Sequence, residues 1–304
     1  MSIASFSRVS IDDPWFTFVV FLSLVSGSTA VGGINPPHFL NFSLILATLI
    51  AARYLGGLVG LKKSPFTART VSSAIEKLKR REKGADEAER VAQGELVEIC
   101  LIGIVTAGLL SVFLATSEDG VATALVLGAA SLLIYLRAKI PSSVGAVLVS
   151  AFAAAMLPCL LGVLGSFCQL AMIVPGAVLF GFVPGGMLGA ALIARHAKIL
   201  EDKGWQRSQV ATTKKGVAVT RPRGVAQLYT GFLLIGFFIV FVLSSMGTIP
   251  RSFMAVVITM FFAPKVATEF LERTASDEQL FGATVRLAVL AGVLTLLAGA
   301  GARL

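Results

Sequence analysis

Charge is what this sequence lacks for its size. Only 14% of its 304 residues are Asp, Glu, Lys or Arg, 56% are hydrophobic, and the mean hydropathy is +0.85. A soluble domain of this length cannot cover its surface with so few charges, so a soluble enzyme or binding module is excluded and a polytopic, all-α membrane protein is expected. Cysteine is scarce as well. Cys100, Cys159 and Cys168 all fall in or beside apolar segments and show no C-x-x-C spacing, which excludes a disulfide framework or thiolate metal site and predicts buried free thiols. With two histidines in the whole chain, no His and Cys ligand cluster forms, and neither a nucleophile and base pair nor a glycine-rich phosphate loop is present. Arg8, Asp12 and Asp13 precede the first apolar run and no small-residue cleavage site follows, so no removable signal peptide is expected.

The charge that is present is mostly positive, with a net +9. It sits in short loops beside apolar runs, where orientation signals and anionic-lipid contacts belong, and this argues against nucleic acid as a partner. The longest polar stretch, Arg195 to Arg223, carries Arg195, Lys198, Lys203, Arg207, Lys214, Lys215, Arg221 and Arg223 against Glu201 and Asp202. A second basic loop runs from Leu61 to Gln93. Both are expected on the cytoplasmic side, because Lys and Arg are retained there.

Counting apolar runs of about 20 residues predicts about nine transmembrane helices, near residues 15–32, 38–61, 95–115, 121–137, 142–165, 168–194, 225–247, 252–271 and 280–301. The chain then reads as a single transmembrane domain over residues 1–304, with cytoplasmic loops at about 62–94 and 195–224. Charge alternation supports this count. The opposite-side loops, Gly33 to Pro37, Ser117 to Gly120, Gly165 to Phe167 and Gly247 to Arg251, hold Arg251 as their only basic residue. The expected topology is therefore a cytoplasmic N-terminus and a C-terminus on the far side.

Proline and glycine interrupt several spans: Pro158 in the fifth, Pro175 and Pro184 in the sixth, Pro264 in the eighth. Close helix packing through small residues accounts for most of these, while the doubly broken sixth span is the best candidate to line a cavity. No inverted repeat is visible, and apart from Arg53 no ionisable side chain is expected deep in a span, which speaks against a transporter. Ser72 to Gln93 interleaves Glu and Lys and reads as two short surface helices forming a solvated, orientation-setting loop.

About nine spans with large loops after the second and sixth is a layout that resembles the UbiA superfamily of intramembrane prenyltransferases. Leu133 to Gly162 looks like that family's Tyr and basic turn followed by its fifth helix. Glu201 to Thr212, EDKGWQRSQVAT, falls on the spacing of the family's D-x-E-G-D-x-x-x-G-x-x-T segment. Gly204 and Thr212 match there, with Glu201 at the first Asp and Trp205 at the second. Arg223 to Tyr229 resembles the start of the seventh helix. The resemblance implies a UbiA-like bundle and a lipophilic isoprenoid ligand.

The departures are chemical. The family ionises a prenyl diphosphate with Mg²⁺ held between two Asp-rich motifs, and Mg²⁺ requires hard carboxylate oxygens. Ala51 to Lys63, AARYLGGLVGLKK, stands where the first motif belongs and has no carboxylate. The second motif keeps Glu201 and Asp202 at most, so no metal site and no catalytic residue are assigned. Arg53 occupies the first motif's place, about 12 Å from the end of its span, and can either snorkel to the interface or pair with Glu95 or Glu98. With Arg137, Lys139 and Lys198 it can also form a cationic pocket for an anionic head. His196 is expected to be a solvated loop side chain. The expected function is a prenyltransferase-like membrane protein that binds an isoprenoid or lipid in its bundle, as a subunit of a membrane complex if it has protein partners. The alternative is an active, divergent prenyltransferase using Mg²⁺ to move an isoprenyl chain to a lipophilic acceptor.

Overall fold

The computed structural model describes residues 14–32, 41–43, 45–46, 48–49, 119–138, 141, 143–170, 172–203, 210–213, 216–247 and 251–301. Arg53, Lys139 and Trp205, the Leu61 to Gln93 loop, and the third and most of the second expected span lie outside them. The described elements are α1 (Pro14–Gly32), α2 (Gly120–Ala138), α3 (Val144–Leu170), a 3-10 turn (Pro175–Val178), α4 (Leu179–Arg195) and α5 (Ala197–Lys203). After a hairpin of β1 (Val210–Thr213) and β2 (Gly216–Val219) come α6 (Arg223–Ser245), a 3-10 segment (Arg251–Phe261), α7 (Ala263–Leu271) and α8 (Asp277–Gly301). The hairpin pairs Val210 with Val219 and Thr213 with Gly216; the remaining elements are helical.

Five of the helical segments are long and apolar enough to cross a membrane: Val144–Leu170, Pro175–Arg195, Arg223–Ser245, Ser252–Leu271 and Asp277–Ala300. Helices α1 and α2 carry shorter apolar stretches. Many outward-facing side chains of these helices are large and apolar. Phe152, Ile235, Phe238 and Phe241 are exposed, a pattern that suits hydrocarbon and not water.

Local sequence explains the helix starts. Ser143 caps α3 by accepting the Ala146 N–H at 3.2 Å. Ser276 and Gln279 cap α8 reciprocally, the Gln279 N–H donating to Ser276 Oγ and the Ser276 N–H to Gln279 Oε1, and Asp277 and Glu278 favour the positive end of the same helix.

The core is built around α4, whose residues from Val183 to Ala194 are all buried; α3, α6 and α8 pack around it. Glycine allows this close approach. A Cβ on Gly181 would lie 2.1 Å from the Cys159 nitrogen, and one on Gly185 2.1 Å from the Ala155 carbonyl oxygen. On another side of α4, a Cβ on Gly236 of α6 would lie 2.4 Å from the Phe182 oxygen. Backbones thus touch where lipid-soluble helices have little else to hold them. Cys159 and Cys168 are buried free thiols, as expected. Buried hydroxyls return their protons to the helix, Ser26 to the Leu22 carbonyl and Thr295 to that of Ala291.

Contacts sort the helix ends into two sets. At one end Arg221, just ahead of α6, meets Asp277 at the start of α8, and its N–H donates to the Leu271 oxygen at the end of α7. At the other, the Ile173 N–H donates to Asp119 Oδ2, Ser28 bonds Gln169, and Ser252 bonds the Ala298 oxygen. The described helices therefore run alternately up and down.

Three expectations need correction. Gly165 to Phe167 is not a loop: α3 continues to Leu170, because Gly165 packs against the α1 backbone and residues 161–168 are all buried, and the sixth span starts at Pro175. Pro184 does not break that span: it sits within continuous α4, which packs against α3, α6 and α8. Ionisable groups other than Arg53 do lie within spans: Lys265 and Arg286 are exposed and Glu269 is half-buried. Arg286 is about 13 Å from the start of α8, within snorkelling reach of the interface.

Candidate functional site

The densest polar constellation among the described residues is built on Arg221. Pro222 follows it with φ −54° and ψ 135° and stands at the N-cap of α6; a residue ahead of proline is held extended, which lays Arg221 alongside the end of α7. There the Arg221 N–H donates to the Leu271 oxygen at 3.0 Å and its Nε to the Phe270 oxygen at 2.8 Å. Arg273 takes φ 54° just past α7, and the next N–H, that of Thr274, reaches back to the Glu269 oxygen at 3.2 Å. Carbonyls at a helix C-terminus otherwise lack partners, so these bonds close α7 and place a cation at the negative end of its dipole.

The rest of the guanidinium is committed to carboxylates. Nη1 donates to Glu201 Oε1 at 2.6 Å and Nη2 pairs with Asp277. Glu201 gives its other oxygen to Arg273. The Arg221 cation also lies 4.4 Å from the centre of the Phe270 ring, on which Tyr229 stacks at 4.1 Å; the Tyr229 hydroxyl bonds that of Thr284 at 2.7 Å. Arg221 is 5% exposed. The cluster ties α5, the segment before α6, α7 and α8 into one end of the bundle. Nearby, Arg195 sits 3.7 Å from Glu278 and 4.8 Å from the Phe281 ring centre.

Of the residues singled out in the sequence, Glu201 is here, as an ion-pair partner. Asp202 is exposed, with interactions of its own. Lys198 is exposed on α5, and Arg137 stands in the last turn of α2. Arg53, Lys139 and the Arg137 side chain lie outside the described residues. His196 is not a solvated loop side chain. It ends α4, is partly buried, and its N–H donates to the Leu192 oxygen; burial, then the neighbouring Arg195 charge, lower its pKa to about 4 and keep it neutral at physiological pH. No group of three His, Cys, Asp or Glu side chains suited to a metal occurs among the described residues.

A groove of about 650 Å³ opens beside the cluster between α6 and α7, with Arg223, Gln227, Gly231 and Leu234 on one wall and Thr268 and Leu271 on the other. Sequence reasoning missed both features. Arg221 read as one more loop charge, and the only available signal was its position directly ahead of a proline that starts a helix.

The chain matches no protein-family model, no curated protein and no solved structure.

Proposed function

We propose that this protein is a membrane-embedded, UbiA-like bundle that binds an isoprenoid or lipid among its helices without the Mg²⁺-dependent ionisation of a prenyl diphosphate. The observation that carries this reading is the state of Glu201. Both of its oxygens are engaged by arginines, so the carboxylate standing at the first Asp of the degenerate second motif is already neutralised. Freeing it for Mg²⁺ would take one of two carboxylate partners from the buried Arg221 guanidinium, which opposes metal binding there. Asp202, exposed on α5, adds one carboxylate where a diphosphate cage needs several. Such a protein serves as a lipid-holding subunit of a larger membrane assembly.

Binding of farnesyl diphosphate to the purified full chain, measured with and without Mg²⁺, tests this directly. The expected result is no Mg²⁺-dependent binding and no pyrophosphate release with an aromatic acceptor. Turnover abolished by a chelator would overturn the reading and restore the catalytic alternative.

The proposed orientation has the Arg221 end in the cytoplasm, because Arg195, Lys198, Arg221, Arg223 and Arg273 gather there. Cysteines introduced at Asp119 and at Lys214 should label from opposite sides of intact cells. Labelling of both from the same side would refute the orientation and the span count together.

A further inference from the structure

We propose that the groove between α6 and α7 is a seat for one anionic phospholipid, its phosphate held at Arg223 and one acyl chain lying along Gly231 and Leu234. Charge complementarity is the first argument. The groove's lining includes two arginines and no Asp or Glu; Glu269 and Glu272, the acids nearest in sequence on that side, are not part of it. Arg221 is spent on Glu201 and Asp277, whereas Arg223 is exposed and makes no ion pair among the described residues. It is the uncompensated cation of the site. Arg223 also opens α6, a 23-residue helix with no side-chain cap on its N-terminus, so free backbone N–H groups and the positive end of the dipole face the same anion.

The second argument is the order of polarity along the groove. Arg223, Gln227, Gly231 and Leu234 recur every three to four residues and share one face of α6. From Arg223 to Leu234 that face runs about 16 Å, close to the depth of one leaflet of a roughly 30 Å hydrocarbon core. Along the α6 wall the lining passes from Arg223 and Gln227 at the outer end to Gly231 and Leu234 at the inner end, matching a headgroup followed by its chain. A free phosphate would use only the outer end, so the apolar depth commits the site to a lipid. Glu201 is not among the groove's lining residues, and the assignment does not depend on the catalytic reading.

Native mass spectrometry of the full chain in detergent, titrated separately with phosphatidylglycerol, phosphatidylcholine and glycerol 3-phosphate, tests the assignment. The wild type should carry one phosphatidylglycerol in clear preference to phosphatidylcholine and no glycerol phosphate. Arg223→Gln should weaken the phosphatidylglycerol adduct about fivefold and erase the preference, and Arg223→Lys should retain most of it. Gly231→Phe should remove both lipids. A Cβ at Gly231 meets nothing within 4 Å, so the new ring fills the groove without disturbing the helix, and replacing glycine favours folding. Equal adducts of the two lipids, a preference untouched in Arg223→Gln, retention of lipid in Gly231→Phe, or Arg223-dependent binding of glycerol phosphate alone would each overturn the proposal.

Discussion

Arg221→Met is expected to cost about 3–5 kcal/mol and to lower the melting temperature of the detergent-solubilised protein more than any other single charge removal in the described region. The side chain is 5% exposed and serves two carboxylates, a carbonyl and an aromatic ring. Methionine leaves Glu201 with Arg273 alone, leaves Asp277 without its guanidinium, and leaves the Phe270 carbonyl without its donor. The loss should be partly relieved in Arg221→Met combined with Glu201→Gln, because the Glu201 oxygen that loses its partner then carries no charge. Arg273→Gln is the contrast. Its side chain is 34% exposed, and solvent screening should hold its cost to about 1 kcal/mol or less. Equal melting shifts for Arg221→Met and Arg273→Gln, by thermal denaturation monitored with intrinsic fluorescence, would mean that the cluster does not hold this end of the bundle.

Gly181→Leu is expected to prevent assembly of the bundle or to cost roughly 3 kcal/mol or more. The nearest atoms to a Cβ at Gly181 are all backbone, Cys159 N at 2.1 Å, Cys159 Cα at 2.3 Å and the Pro158 carbonyl carbon at 2.3 Å. No rotamer change relieves a clash with backbone, so α3 and α4 must separate, and the contacts that hold helices together in lipid fall away with distance. Gly181→Ala should already be destabilising. Gly128→Leu on α2 is the matched control, because nothing lies within 4 Å of its added Cβ and it should leave the elution profile on size exclusion unchanged. A monodisperse, normally melting Gly181→Leu protein would show that α3 and α4 do not touch as described.

The two predictions also separate what was legible from what was not. Hydropathy alone placed α1, α2, α6 and α8 close to their observed limits, because a run of apolar side chains has few alternatives to a membrane helix. It misplaced the turn between α3 and α4. Gly165 was read as a loop residue, yet its missing Cβ serves the contact with α1, and a glycine at a crossing and a glycine in a turn look alike in sequence. The eighth span appeared as one run. It is a 3-10 segment followed by a short α-helix that Pro264 opens, near its first turn.

The candidate residues show the same divide. Charge counting established that the polar segment after Arg195 is basic and flanked by spans, since each residue contributes to that property independently. The lack of a carboxylate from Ala51 to Lys63 is likewise read from sequence alone, and it argues against a Mg²⁺ site at that motif before any geometry is known. Which cation is buried, and which carboxylates it neutralises, is a different kind of question. Arg221 and Asp277 are separated by 56 positions, and Arg221 and Arg223 are two residues apart, yet one is locked in a cluster and the other lines an open groove. Composition and periodicity determined that this chain is a helical membrane protein, because the hydrophobic effect acts on each segment by itself. Only the tertiary structure decided that Glu201 is spent on arginines and that Arg223 makes no ion pair among the described residues, because pairing depends on which helix ends meet.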